Sequence, residues 1–288
     1  MSSDFKIIEC PRDAMQGITE FIPTQSKIDL LKSLLKCNFH TIDCGSFVSP
    51  KHIPQLADTP EVLNSLTLEE LGDTKLLTIA ANERGAVRSA AFPIVHYLGY
   101  PFSLSETFQR KNTNASRSDA FITLSKIKDI ADASNKEVVA YISMAFGNPY
   151  GEEYKPQDVI DWAVKIAALG INVISLADTT GHASNKDIRF LFQTLIKLLP
   201  HVEFGAHFHA EPANWLDKIE TATQAGCKRF DGAFGGMGGC PMSGSELVGN
   251  IATENLILYL GQDHNLALDT AAVESAKKLA ADTYEKYK

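Results

Sequence analysis

The chain has 288 residues, 44% of them hydrophobic and 22% charged, with a formal net charge of -8 at pH 7. This composition supports a sizeable buried core and excludes large-scale disorder. Acidic and basic residues are interspersed, and without a basic stripe to displace counterions a nucleic-acid partner is excluded from expectation.

In chain order, short runs rich in β-branched and apolar residues fall at 6–10, 40–44, 76–80, 137–142, 172–176, 203–209 and 229–233. They read as buried parallel strands. An eighth is expected within 92–103, where Pro93, Gly99 and Pro101 blur the pattern. Between the strands lie segments of helical period. In 155–170, Val159, Trp162, Ala163, Ile166 and Ala167 share one face, with Pro156 in the first turn and Gly170 as the stop. Ile188, Leu191, Leu195 and Leu198 form a second stripe, and Ile28, Leu31, Leu34 and Leu35 an earlier one.

Eight strand–helix units in this length predict an α/β chain folded as a single (β/α)8 TIM barrel. The barrel is expected over about 5–260, with a helical extension over about 261–288 packed on its outside, so that 1–288 form one catalytic domain. No GxGxxG or GxxxxGK[ST] follows a strand, which weighs against a nucleotide-binding open sheet. The first residues lack the character of a signal or transit peptide, and no apolar run approaches the ~20 residues needed to span a bilayer. The five cysteines Cys10, Cys37, Cys44, Cys227 and Cys240 form no CxxC pair. Reduced thiols and a soluble cytoplasmic protein without a membrane partner are therefore expected.

Barrel enzymes place their chemistry at the C-terminal ends of strands. The first predicted strand runs into Arg12 and Asp13, the seventh into His207-Phe208-His209, and the eighth into the glycine-rich loop 235–241. Residues i and i+2 of a strand share a face, so His207 and His209 both project into the barrel mouth while Phe208 turns to the helices. Two imidazoles on one face suit a metal, and barrel closure brings Asp13 near them from strand one. By itself, His-x-His on a strand is equally consistent with two satisfied buried polar residues. The loop glycines allow backbone to approach a ligand closely, and Cys240 beside Pro241 is placed to react. Cys10, Cys37 and Cys227 read as packing residues.

These features resemble the 3-hydroxy-3-methylglutaryl-CoA lyase family of DRE-TIM metallolyases. The resemblance is carried by Pro-Arg-Asp-Ala-Met-Gln at 11–16, Ser-Phe-Val-Ser-Pro-Lys at 46–51 and Gly-Asn-Pro-Tyr-Gly at 147–151. It continues through Ser-Leu-Ala-Asp-Thr at 175–179, His-Phe-His at 207–209, Gly-Gly-Met-Gly-Gly-Cys-Pro at 235–241 and Gly-Asn-Ile-Ala-Thr-Glu at 249–254. The Arg-Asp and His-x-His pieces are shared with condensing synthases of the same superfamily. The Gly-Gly-Cys-Pro loop is more specific to the lyases.

The resemblance implies a divalent cation, Mg2+ or Mn2+, held by Asp13, His207, His209 and Asn250, the last assigned on resemblance only. It implies that Arg12 stabilises oxyanion charge, that Cys240 is the catalytic thiol, and that Asp43, Asp178 and Glu254 are active-site carboxylates, with Asp178 as candidate base. Asn114 resembles a residue near the thioester channel, making it the candidate contact for the acyl-CoA. The implied reaction is cleavage of 3-hydroxy-3-methylglutaryl-CoA to acetyl-CoA and acetoacetate, a step of leucine catabolism, by a chain that could form a homodimer.

Three departures from the family pattern stand out: Asp43 where Glu is usual, Asn148 where Cys is common, and Ala-Glu-Pro-Ala-Asn-Trp after His209. They keep open a lyase for another 3-hydroxyacyl-CoA or a Claisen-type synthase. A non-catalytic thioester-binding barrel is the remaining alternative, and it has no evident need for the thiol.

Overall fold

The computed structural model describes residues 5–239, 248–262 and 264–288. Its strands are β1 Lys6–Glu9, β2 Thr41–Ser46, β3 Lys75–Ile79, β4 Val95–Ser103, β5 Glu137–Ser143, β6 Val173–Asp178, β7 Glu203–Phe208 and β8 Arg229–Gly232. Neighbours in sequence are neighbours in the sheet, and β1 closes the barrel by parallel pairing with β8, from Lys6 opposite Arg229 to Glu9 opposite Gly232. The expected (β/α)8 barrel is thus the observed one.

The strand hidden in 92–103 is β4, and its weak signal has a packing cause. Gly99 faces inward, and a Cβ there would lie 2.6 Å from Cδ1 of Ile79 and 3.0 Å from Cδ2 of Leu77. The absent side chain makes room for two large ones on β3. The interior apolar layer is Leu77, Ile79, Tyr97, Val139, Tyr141 and Val173, and a larger layer fills the space between strands and helices.

The helices predicted from periodicity appear as Thr24–Leu35, Pro156–Ala168 and Asn185–Leu198. Trp162 on the second is only half-buried and packs against the rings of Phe102 and Phe121. The C-terminal helix Thr270–Lys286 is capped by Asp269, whose side chain accepts from the backbone N–H of Ala272. It lies outside the barrel against Thr24–Leu35, burying Val273, Ala276, Ala280 and Tyr284. Among the described residues no helix is long and apolar enough to cross a membrane.

Cys10, Cys37, Cys44 and Cys227 are buried and free. Burial pushes the Cys37 thiol up to about 12 and raises the other three as well, as befits packing residues. Cys240 and the loop segment 240–247 lie outside the described residues.

Glu9 is a buried carboxyl on the helix-facing side of β1. It accepts from the Phe234 backbone N–H at 3.1 Å and shares a hydrogen bond with the Thr253 hydroxyl, tying β1 to the root of the glycine loop. Burial dominates and raises its pKa from 4.5 to about 8, against the lowering effect of those two bonds. The native state therefore keeps this proton up to about pH 8, while the unfolded chain releases it near 4.5. Between those values the unfolded state binds fewer protons, so stability falls as pH rises. Glu9→Gln should remove this loss: unfolding free energies of wild type and variant are expected to diverge by more than about 1 kcal/mol between pH 5 and pH 9. Parallel curves would show that Glu9 does not hold its proton.

Candidate active site and metal centre

β1 stops at Glu9, earlier than its sequence suggests, because Pro11 lacks the N–H a strand ladder needs and is suited to the first turn of a helix. A short helix Pro11–Gln16 starts there and carries Arg12 and Asp13 over the barrel mouth. On β7, alternation places His207 inward and Phe208 outward, where Phe208 meets the rings of Phe146 and Phe192. His209 lies just beyond the strand and pairs with Asn250 through an isolated antiparallel bridge. That bridge delivers Asn250 to the site.

The ligand atoms offered by Asp13, His207 and His209 all lie within 4.8 Å of one another. The Asn250 amide nitrogen donates to Asp13 Oδ2 at 2.6 Å and to the Met237 carbonyl at 2.8 Å. Its Oδ1 is buried without a hydrogen-bond partner, as is Nδ1 of His209. Buried polar atoms seldom go unpaired, and a mixed nitrogen and oxygen donor set with two free acceptors fits a divalent cation. The glycine loop fits closely over this corner. Gly238 has φ +97°, and a Cβ on it would lie 2.7 Å from Nδ2 of Asn250 and 2.8 Å from the Asp13 carbonyl.

Arg12 is held from three sides. Its Nε and Nη2 donate to Asp43 Oδ2 at 2.9 and 2.6 Å, and Nη1 donates to Asp13 Oδ1 and Gln16 Oε1, each at 2.9 Å. Burial works against the guanidinium charge, but Asp43 and Asp13 outweigh it and raise the pKa. Burial would likewise raise Asp13, yet Arg12 and the two histidines bring it down to about 2. For Asp43 burial prevails over Arg12, and its carboxyl sits at about 6. His209 is pushed down to about 4 by burial and by the neighbouring His207, so its ring is neutral at pH 7 and free to ligate.

The cavity above these groups is lined by Arg12, Asp13, His207 and His209 together with Val48, Ile79, Pro101 and Phe108. Not every residue implied by the resemblance reaches it. Asp178 accepts from Lys218 Nζ at 2.7 Å and from the backbone N–H groups of His182 and Ala183, both at 3.0 Å. Both oxygens are thus engaged, and its neighbours Ala177 and Thr179 line the cavity in its place. As it stands this carboxylate is a brace for the loop after β6 and has no free oxygen for a base. Glu254 accepts from the Gly235 backbone N–H at 3.1 Å and lines a separate pocket beneath the C-terminal helix, so it supports the loop from outside. Asn114 is exposed and ends the helix Glu106–Thr113 in the left-handed conformation, at φ 53° and ψ 32°. Asn112, two residues earlier, faces the cavity.

The three departures also have local accounts. Asp43 is not withdrawn from the site: it reaches Arg12 with one oxygen, and its Oδ1 is buried without a partner. Asn148 builds a turn, accepting from the N–H groups of Tyr150 and Glu152 and donating to the Glu152 carbonyl. The segment after His209 leads into the helix Trp215–Gln224, whose buried Lys218 also donates to the carbonyls of Gly181 and His209.

Lys218 and Asp231 are the residues that sequence reasoning missed. Asp231 lies opposite His207 in the β7–β8 register, and its Oδ2 is 3.1 Å from His207 Nδ1. Its signal was available in strand parity, since Arg229 and Asp231 are i and i+2 on β8 and share a face with each other. Lys218 left no such trace, because a lysine on a helix is most often a solvated surface residue.

Comparison with known proteins identifies the family. A match to the family described as HMGL-like covers residues 5–279. Hydroxymethylglutaryl-CoA lyase YngG of Bacillus subtilis (strain 168) is 33% identical over 253 residues, which are 88% of this chain and 83% of that protein. The crystal structure of the Bacillus subtilis HMG-CoA lyase superposes with a TM-score of 0.90 at 30% identity, over 99% of this chain and 96% of its own. An HMG-CoA lyase from Acinetobacter baumannii, in complex with coenzyme A and 3-methylmalate, superposes with a TM-score of 0.88 at 28% identity, over 98% and 91% of the two chains. With the fold matched from end to end and the family match spanning every described strand, this chain belongs to the HMGL-like family.

Proposed function

We propose that this protein is a divalent-metal carbon–carbon lyase that cleaves 3-hydroxy-3-methylglutaryl-CoA to acetyl-CoA and acetoacetate. The observation that carries the reading is the convergence of Arg12, Asp13, His207 and His209 on one cavity, with Asn250 bonded to Asp13 behind them, in a chain 33% identical to a hydroxymethylglutaryl-CoA lyase. A cation held by Asp13, His207, His209 and Asn250, with Mg2+ or Mn2+ as the proposed ions, supplies Lewis acidity that lowers the pKa of the substrate's tertiary hydroxyl.

Transfer of that hydroxyl proton to water in the cavity lets the C2–C3 bond break, its electron pair passing to C2 as a thioester enolate while C3 becomes the ketone of acetoacetate. Arg12 carries the charge that the enolate oxygen develops. Four of its five N–H donors are directed to Asp43, Asp13 and Gln16, leaving one on Nη2 for the substrate. A donor already oriented before the charge appears is worth most in a water-poor site. The enolate carbon then needs a proton, which the Cys240 thiol supplies in our reading, yielding acetyl-CoA. The loop that bears Cys240 is pinned at its root by Glu9 through Phe234 and by Glu254 through Gly235. Asn112, facing the cavity, is the proposed contact for the acyl-CoA, and the solved relative bound to coenzyme A supports a ligand of that class.

Incubation with the thioester and Mg2+ should release acetoacetate and acetyl-CoA in equal amounts. Cys240→Ser should lower kcat by about 10^2–10^4-fold, the usual worth of a positioned proton donor. A panel of thioesters varied at C3 and ranked by kcat/KM tests the acyl group. Metal-loaded protein that releases no acetoacetate would sink the substrate assignment, and preference for another C3 substituent would move it to the related lyase.

A further inference from the structure

Beneath the metal centre the barrel interior carries a line of alternating charges. At its top, His207 Nδ1 meets Asp231 Oδ2 at 3.1 Å. Arg229 follows one inward position below on β8 and is fully buried. Its Nη1 meets Glu203 Oε1 at 3.2 Å, and Glu203 pairs with Lys6 at the floor of the barrel.

The fold makes room for this arginine deliberately in one place. A Cβ on Gly205 would lie 3.0 Å from Arg229 Cδ and 3.2 Å from Ser175 Oγ, so the bare backbone of β7 lets the side chain cross the axis. Arg229 and Asp231 are not in hydrogen-bonding contact: Nε and Nη2 of the one and Oδ1 of the other are buried without partners. They stand at i and i+2 on the same face of β8 and both are buried, so the guanidinium is the charge next below the carboxylate in an interior of low dielectric, where opposite charges attract over longer distances than in water. Burying a guanidinium is costly and is weak evidence of a gain in stability. Its place beneath the carboxylate that holds a candidate ligand suggests another use.

We infer that Arg229 is a positioning residue for the metal centre: through Asp231 it holds the His207 ring with Nδ1 as donor, leaving Nε2 as the ligand atom. Removing the guanidinium leaves Asp231 without an opposing charge from below and loosens its hold on the imidazole. Outer carboxylates that orient a ligating histidine typically change metal affinity 10–100-fold. Arg229 acts one step further out. The inference rests on the metal reading proposed above.

The test uses the full chain and four variants, Arg229→Met, Arg229→Lys, Asp231→Asn and the Arg229→Met/Asp231→Asn double variant. Mn2+ titration calorimetry is expected to show a loss of about 10–100-fold for Asp231→Asn and about tenfold for Arg229→Met. Arg229→Lys should recover most of the affinity. The double variant should bind no more than about twofold more weakly than Asp231→Asn, since Arg229 acts through that carboxylate. Should Arg229→Met fail to fold, Arg229→Gln takes its place. In metal-free protein, histidine 15N spectra should show His207 protonated at Nδ1 in wild type, with that tautomer depleted in Arg229→Met. Affinity within twofold of wild type for Arg229→Met, or a loss that adds in full to that of Asp231→Asn, overturns the inference. Wild type that binds no Mn2+ overturns the metal reading instead, and the tautomer measurement then decides the role of Arg229 alone.

Discussion

Asp13→Asn is expected to lower kcat for acetoacetate release by about 10^3-fold or more, because a bound divalent ion contributes several kcal/mol to the stabilisation of developing charge. The substitution keeps the size and shape of a side chain that sits between Arg12 and Asn250, and removes the charge that favours a cation there. Treatment of the wild type with a chelator should reproduce the loss. Added Mg2+ or Mn2+ should restore the wild type and leave the variant inactive. Retention of wild-type metal affinity and more than a tenth of the activity in Asp13→Asn would remove this residue from the site.

Arg12→Lys should lower kcat and kcat/KM together by about 10^2–10^3-fold, the signature of an interaction made only in the transition state. Lysine keeps the charge but lacks the planar fork, and cannot meet Asp43, Asp13 and Gln16 while still presenting a fixed donor. Arg12→Met should also destabilise the fold by roughly 3–5 kcal/mol, since Asp43 would be left as a buried carboxylate without its cation. Pairing Arg12→Met with Asp43→Asn separates the two effects. The double variant is expected to recover much of the melting temperature and none of the turnover. Arg12→Lys with kcat within tenfold of wild type would deny Arg12 its role.

The two expectations share a structural cause. Asp13 and Arg12 are neighbours in the first turn of one short helix, and their side chains are bonded to each other. A single turn set by Pro11 thus presents both a candidate ligand and a cation to the same cavity. Asp43 on β2 fixes the far side of the guanidinium. A carboxylate one methylene shorter than the family's usual glutamate still makes this contact, so the departure at Asp43 does not by itself move the chain to another substrate.

Much of this was legible without coordinates, for a definite reason. Strand alternation and helical period are local properties, and they suffice to count seven clear strands and to turn His207 and His209 toward the barrel mouth and Phe208 away from it. Closure of the sheet then brings Asp13 to them. β4 was blurred because Gly99 is dictated by the side chains of Leu77 and Ile79 on the neighbouring strand, which no local pattern contains. Resemblance supplied Asn250 and could name it, but only the bridge to His209 accounts for its arrival.

Other assignments depended on who else was present. Asp178 ends a strand at the right height, yet Lys218 and two backbone N–H groups occupy both its oxygens. Asn112 and Asn114 are nearly equivalent in sequence, and the left-handed turn at Asn114 leaves Asn112 as the one facing the cavity. Residue order and periodicity were enough for the barrel and the facing of its histidines, because both follow from backbone geometry. The occupancy of each carboxylate, and the charged line of Asp231 and Arg229 beneath the candidate metal ligands, were decided only by tertiary packing, which sets the partners of a buried polar group from residues distant in the chain.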